Sequence, residues 1–273
     1  MEARLGPYHI EVASEFGPRI ISLRLEGGDD VLARLGPEKS IVHVRGTFHL
    51  RGGHRLWASP ETPDITYAPD DHHCDVSTAD GVLSVSAPAD SAGLVKEITL
   101  TADDTSLVVD HRIESSGEFS GSVAAWAITQ FPLGGRIITP LIGEETEFSA
   151  NRYLVMWPYS SIEDPRVTLA DDVLELKAVD GPRIKFGVGP APGRLGYLRD
   201  GLVFVKEIES VAGRPVPDLG AVGQVYVGDG FGELESVGGI TDLSAGGFTA
   251  VRERWTIFDC ENAEAAVGHT VGR

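Results

Sequence analysis

Cysteine is nearly absent from this chain, with only Cys74 and Cys260 in 273 residues. Two thiols far apart in sequence and without a C-x-x-C partner build neither a disulfide framework nor a zinc ribbon, so both read as reduced and inert. Long apolar runs are missing as well. None approaches the roughly 20 residues that span a bilayer, and the N-terminus MEARLGPYHI lacks the basic-then-apolar order of a signal peptide. Positive charge is scarce: Lys plus Arg number 23 against 41 Asp plus Glu, a formal net charge of -18. A field of that sign repels nucleic acid and anionic lipid. The expectation is a cytoplasmic protein with no nucleic-acid and no membrane partner. There is also no phosphate-binding P-loop, no dinucleotide fingerprint and no G-x-S-x-G elbow, and Gly238-Gly239 and Gly246-Gly247 read as turns.

Hydrophobic residues make up 42% of the chain, enough for a substantial core, and 33 Gly and 16 Pro divide it into short β-branched and aromatic runs. That pattern predicts an antiparallel all-β protein with many strands. Strands are expected at Tyr8 to Ser14, Arg19 to Leu25, Cys74 to Thr78, Val82 to Ala87, Val95 to Thr101, Leu107 to Glu114 and Val123 to Thr129. Others are expected at Val173 to Ala178, Leu202 to Glu209, Gly232 to Val237 and Val251 to Phe258. Four Asp-Gly pairs, at Asp80-Gly81, Asp180-Gly181, Asp200-Gly201 and Asp229-Gly230, read as hairpin turns able to take positive φ. With no internal repeat and no Pro/Ser-rich linker, one large two-sheet domain over residues 1–260 is expected. A tail follows over 261–273, with a helical turn around Asn262 to Val267.

The segment from Arg51 to Glu61, RGGHRLWASPE, concentrates charge, imidazole and indole between two glycines and a proline, which does not read as a core strand. It predicts a rim carrying His54, Arg55 and Trp57, suited to a hydroxyl-rich ring; the other reading is a structural turn with Trp57 as a core plug. Period-two alternation puts Lys206 on one face with Leu202, Phe204 and Ile208, where an ammonium needs compensation. It likewise puts Glu233 and Glu235 on one face, about 7 Å apart, available to Lys206 or to a substrate. Glu253 falls on an apolar face with Val251, Trp255 and Ile257 and reads as a buried carboxylate paired with an Arg. Asn151 to Tyr159 again joins aromatics, including Trp157, to an amide and a guanidinium. No metal site is assigned: His72 and His73, adjacent on an extended chain, point apart.

In order and spacing, several of these pieces resemble the galactose mutarotase-like superfamily, in particular bacterial proteins related to aldose 1-epimerases. They are the Phe16-to-Leu23 stretch, the Gly-Gly-His-Arg-Leu-Trp segment ending in Pro60-Glu61, Trp126 to Gln130, and Asn151 to Tyr159. A further block runs from Leu202 to Lys206, through Pro217 to Gly220, to Gly232 through Gly238. The resemblance implies a β-supersandwich of large antiparallel sheets with a small-molecule carbohydrate on its concave face and no cofactor. It implies a glutamate taking the anomeric proton, matched by Glu235 with Glu233 sharing its face, and a histidine protonating the ring oxygen, assigned to His54. Arg55, Trp57, Glu61, Trp157, Lys206 and Glu233 become the substrate-binding set. The strand that supplies the family's acid reads Ala124-Ala125-Trp126-Ala127-Ile128-Thr129 here, without a histidine. Two alternatives to the isomerase therefore stand: a non-catalytic carbohydrate-binding protein, or different chemistry on an anionic sugar held by Arg51, Arg55 and Lys206.

Overall fold

The computed structural model describes residues 1–141, 146–189, 193–209, 213–244 and 246–260. In chain order its first strands are β1 (Glu2–Leu5), β2 (Tyr8–Val12), β3 (Arg19–Leu25), β4 (Ser40–His43), β5 (Gly46–His49) and β6 (His54–Ser59), followed by the single-turn helix α1 (Pro63–Thr66). Next come β7 (Asp75–Ala79), β8 (Val82–Ala87), β9 (Leu94–Asp103), β10 (Ser106–Ser115), β11 (Ser122–Pro132), β12 (Gly135–Pro140), β13 (Tyr153–Met156) and β14 (Val167–Leu169). The remaining strands are β15 (Val173–Ala178), β16 (Ile184–Gly189), β17 (Gly193–Arg199), β18 (Leu202–Ile208), β19 (Gly223–Gly228), β20 (Phe231–Val237), β21 (Thr241–Asp242) and β22 (Phe248–Asp259).

Two ten-stranded antiparallel sheets and one hairpin account for these strands. The first runs β1-β2-β3-β6-β11-β20-β19-β16-β13, with β21 pairing to β11; the second runs β14-β15-β12-β17-β18-β22-β10-β9-β8-β7. Side chains alternate across each strand, and one face of each sheet closes on the other to form the main core. That core takes Leu56, Ala58, Ala125, Ala127, Leu234 and Val225 from the first sheet and Leu100, Val109, Phe204, Val251 and Trp255 from the second. The opposite face of the first sheet carries a smaller cluster of Trp57, Trp126, Ile128 and Val237, packed against Phe48 of the β4–β5 hairpin.

The strands predicted at Arg19 to Leu25, Val82 to Ala87 and Val173 to Ala178 are observed with those bounds. Three of the four Asp-Gly pairs turn hairpins: Asp80, Asp200 and Asp229 have φ of 51°, 53° and 53°, each followed by a glycine at positive φ. Paired left-handed residues match the twist of the flanking strands. Asp180-Gly181 is different. It lies between β15 and β16, which belong to different sheets, so the pair is part of a crossover and not a hairpin. The turn expected around Asn262 lies outside the described residues.

The largest correction concerns the segment after Gly53. Every residue of β6 is buried, and β6 is an interior strand between β3 and β11. Its glycines mark the approach to that strand. Gly52 and Gly53 take φ of 81° and 74°, and a Cβ there would meet the carbonyl oxygens of Ala33 at 2.0 Å and Ile20 at 2.2 Å. The fully buried Arg19 of β3 then donates to the Leu50 and Gly52 carbonyls, at 2.7 and 2.9 Å, and to Asp70 Oδ2 at 2.8 Å. These bonds fasten the hairpin's end over the outer face of the first sheet.

Candidate functional site

Register on that outer face decides which side chains meet. Arg55 of β6 stands opposite Ile128 of β11, which stands opposite Glu235 of β20 and then Gln224 of β19. One step along the strands, Gln130, Glu233, Tyr226 and Lys185 form a second row across β11, β20, β19 and β16. Both rows open on a cleft of about 300 Å³ whose lining includes Arg55, Trp57, Trp126, Trp157, Lys185 and Glu233. The lining also includes Ile41 of β4, Leu50 just past β5, Glu61 and Tyr67 around α1, and Tyr159, Arg183 and Asp229.

The two glutamates are held differently. Glu233 Oε1 accepts from Arg55 Nη2 and Gln130 Nε2, both at 3.0 Å, and Glu233 lines the cleft. Burial pushes its carboxyl above the usual glutamate range, with the Arg55 guanidinium pulling the other way and the Glu235 charge adding to the rise. Glu235 is fully buried; its Oε2 accepts from Trp126 Nε1 and from Lys185 Nζ, both at 2.7 Å. The Lys185 ammonium also lies 4.7 Å from the ring centroids of both Trp126 and Trp157. Arg55 is anchored in a like manner, its guanidinium carbon 4.1 Å from the Trp57 ring centroid. The cleft is thus an aromatic box crossed by two ion pairs, with Glu61 accepting the Tyr67 hydroxyl at its edge.

Of the residues the sequence nominated, Arg55, Trp57, Glu61, Trp157 and Glu233 line this cleft, and Glu235 sits directly beneath it. His54 and Lys206 do not reach it. His54 projects from the opposite face of β6 into the main core, because neighbours on a strand face opposite ways. Its Nε2 is 2.7 Å from His111 Nε2, and its Nδ1 is 2.9 Å from Thr129 Oγ1. His111 Nδ1 donates to the Val251 carbonyl 2.9 Å away; in the neutral pair its Nε2 accepts the proton of His54 Nε2, and the Thr129 hydroxyl donates to His54 Nδ1. Burial lowers both His54 and His111, and the nearby Lys206 ammonium adds to it.

Lys206 is compensated by neither Glu233 nor Glu235 but by Glu253, Nζ to Oε1 at 3.1 Å, and it donates to the Leu234 carbonyl at 3.0 Å. Glu253 accordingly pairs with a lysine and not the expected arginine, and its second oxygen accepts from Trp255 Nε1 at 2.6 Å. Among the described residues, His54, His111 and Glu253 are a group with metal-ligand spacing, yet the Lys206 ammonium already supplies the cation there. The anion site imagined from Arg51, Arg55 and Lys206 is not assembled either, since Arg51 bonds Asp70 and Asp71 away from the cleft. In the loop of His72 and His73, Asp70 serves Arg19 and Arg51.

Lys185, Tyr226 and Arg183 also line the cleft, beyond the residues the sequence nominates, and Gln130 supports it from behind Glu233. A signal existed for Lys185: Arg183 and Lys185 alternate with Ile184, Phe186 and Val188, the mark of a half-buried strand with cations on one face.

Large antiparallel sheets stacked face to face are the architecture of galactose mutarotase-like proteins. Structural comparison agrees. The chain superposes on a galactose mutarotase-like protein from Lactobacillus casei with a TM-score of 0.59 and 12% identity, over 94% of this chain and 99% of that one. A protein from Escherichia coli K12, provisionally described as an aldose 1-epimerase, gives 0.56 and 12% over 94% and 98%. A galactose mutarotase related enzyme from Lactobacillus acidophilus gives 0.51 and 11% over 96% and 99%. No family model and no curated protein matches the sequence. The fold is shared; identity this low carries no more than that.

Proposed function

We propose that the cleft binds the ring of a small carbohydrate and that the protein is an aldose 1-epimerase-type isomerase with Glu233 as its general base. The observation that carries this reading is the Glu233 carboxylate on the wall of a cleft that Trp57 and Trp157 also line, with both of its hydrogen bonds on one oxygen. Indole faces suit the apolar faces of a sugar ring, and Arg55, Lys185 and Glu61 of the lining offer donors and acceptors to its hydroxyls. A carboxyl raised by burial is a stronger base than an exposed one, and it loses that capacity at higher pH than an ordinary glutamate would. Glu235, matched to the base by resemblance, instead orders Trp126 and Lys185 from below.

A second reading, a carbohydrate-binding protein without turnover, is favoured by one observation: no histidine is found among the described residues of the cleft lining. NMR exchange between α and β anomers for a panel of neutral and acidic sugars separates the two. Acceleration lost in Glu233→Gln and retained at least in part in Glu235→Gln supports the isomerase. Ligand line-broadening without acceleration for any sugar removes it and leaves the binder.

A further inference from the structure

Opening a cyclic hemiacetal needs an acid as well as a base, and the cleft offers few candidates. The Tyr226 hydroxyl already donates to Asp229 Oδ2 at 2.6 Å, and burial pushes both it and the Tyr159 hydroxyl up. Arg55 and Arg183 do not give up a proton in any accessible range. Glu61 and Asp229 already accept the hydroxyls of Tyr67 and Tyr226. Lys185 remains. Its ammonium has three N–H groups, and among the described residues one hydrogen bond is assigned, to Glu235 Oε2 at 2.7 Å. Lys185 shares a cross-strand row with Glu233, with Tyr226 between them. Two strand spacings separate their backbones by about 10 Å, with the Tyr226 side chain in the row between them, so a sugar ring would lie over Tyr226 in the cleft that all three line. The indoles of Trp126 and Trp157, each 4.7 Å from Nζ, border that space and hold the amine in one place.

We infer that Lys185 is the proton donor to the ring oxygen, doing in this chain what a histidine would do from β11. The inference rests on the isomerase reading above. In the step, Glu233 takes the proton of the anomeric hydroxyl, the C1–O1 bond becomes a carbonyl, and the C1–O5 bond breaks with its electron pair going to O5. O5 takes a proton from Lys185 Nζ, leaving a neutral amine beside Glu235. After rotation about C1–C2, closure on the other face runs the same transfers backwards, returning one proton to Lys185 and one from Glu233 to O1. No oxidant, metal or second substrate is consumed.

The alternative is that Lys185 only supplies positive charge to Glu235, and the conservative variant tells the two apart. Lys185→Arg keeps the charge and the partner but cannot donate a proton; Lys185→Ala opens room for an added amine. Anomer exchange is measured by NMR for the full chain and both variants, with sugar line-broadening as the binding readout. The expected result is a loss of about 10² to 10⁴ in rate for both variants, little change in binding for Lys185→Arg, and partial recovery of Lys185→Ala by methylammonium. Retention of the rate by Lys185→Arg, with the unsubstituted protein active, overturns the role of Lys185 alone. Absence of acceleration by the unsubstituted protein overturns both this inference and the isomerase reading.

Discussion

The two faces of β6 carry polar side chains that differ by one residue in sequence and meet opposite fates. His54 points into the main core, where it joins His111, Lys206 and Glu253 in a cluster in which all four are essentially sealed from solvent. Arg55 points outward, where with Glu233, Glu235 and Lys185 it underlies a cleft. In the inner cluster each imidazole nitrogen and the ammonium has a hydrogen-bond partner, and Glu253 Oε1, without a hydrogen bond of its own, is held by the Lys206 ion pair at 3.1 Å. The outer one is half open: Arg55 Nε and Nη1 and Gln130 Oε1 are buried without a protein partner. Buried ionic groups that are mutually satisfied specify packing; similar groups arranged around a cavity are where a ligand gains most.

The difference is sharpest in stability. Lys206→Met leaves Glu253 charged and alone between the sheets and should cost about 3–5 kcal/mol in urea denaturation, whereas pairing it with Glu253→Leu should recover most of that loss. Arg55→Met, whose partner Glu233 borders the cleft, should cost distinctly less; equal losses would break the contrast. In rate the order reverses. Glu233→Gln should lower anomer exchange by about 10² to 10⁴, while its denaturation midpoint moves less than that of Lys206→Met.

Acid should act on the inner cluster before it unfolds anything else. His54 and His111 have native pKa values below the unfolded histidine value, so below that value the unfolded chain binds protons that the native chain refuses. Their contribution is complete above about pH 6.5 and falls as pH drops below it, by up to about 2.7 kcal/mol per pH unit for two protons. Urea midpoints at pH 7.5, 6.5 and 5.5 measure this, and His54→Gln should reduce the slope by one proton. The smallest expected effect lies at the cleft edge: Trp157→Ala should weaken sugar binding by about 0.5–1.5 kcal/mol, read as reduced ligand line-broadening at unchanged stability.

The architecture was legible because alternation and Asp-Gly turns are local signals, and they set strands such as β3, β8 and β15 at their observed bounds. Glu233 and Glu235 were correctly placed on one face for the same reason. The error at His54 has an instructive cause. Period-two alternation over His54-Arg55-Leu56-Trp57 puts His54 opposite to Arg55 and Trp57, but the two glycines and the proline argue locally against a strand, and the two signals conflict. What those glycines accommodate is the carbonyls of Ala33 and Ile20, a long-range approach that no local pattern reveals. The partnership of Lys206 with Glu253 across β18 and β22 was hidden likewise, since pairing between distant strands is a property of topology. Lys185 was passed over because its strand is short and interrupted by Gly187 and Gly189.

The most direct test of the division between the two faces is anomer exchange by NMR in Glu233→Gln and His54→Gln, each checked for folding by near-ultraviolet circular dichroism. If chemistry lives on the outer face, exchange collapses in Glu233→Gln and persists in folded His54→Gln. Persistence in Glu233→Gln together with collapse in folded His54→Gln would contradict the account and return the acid-base role to the buried histidine.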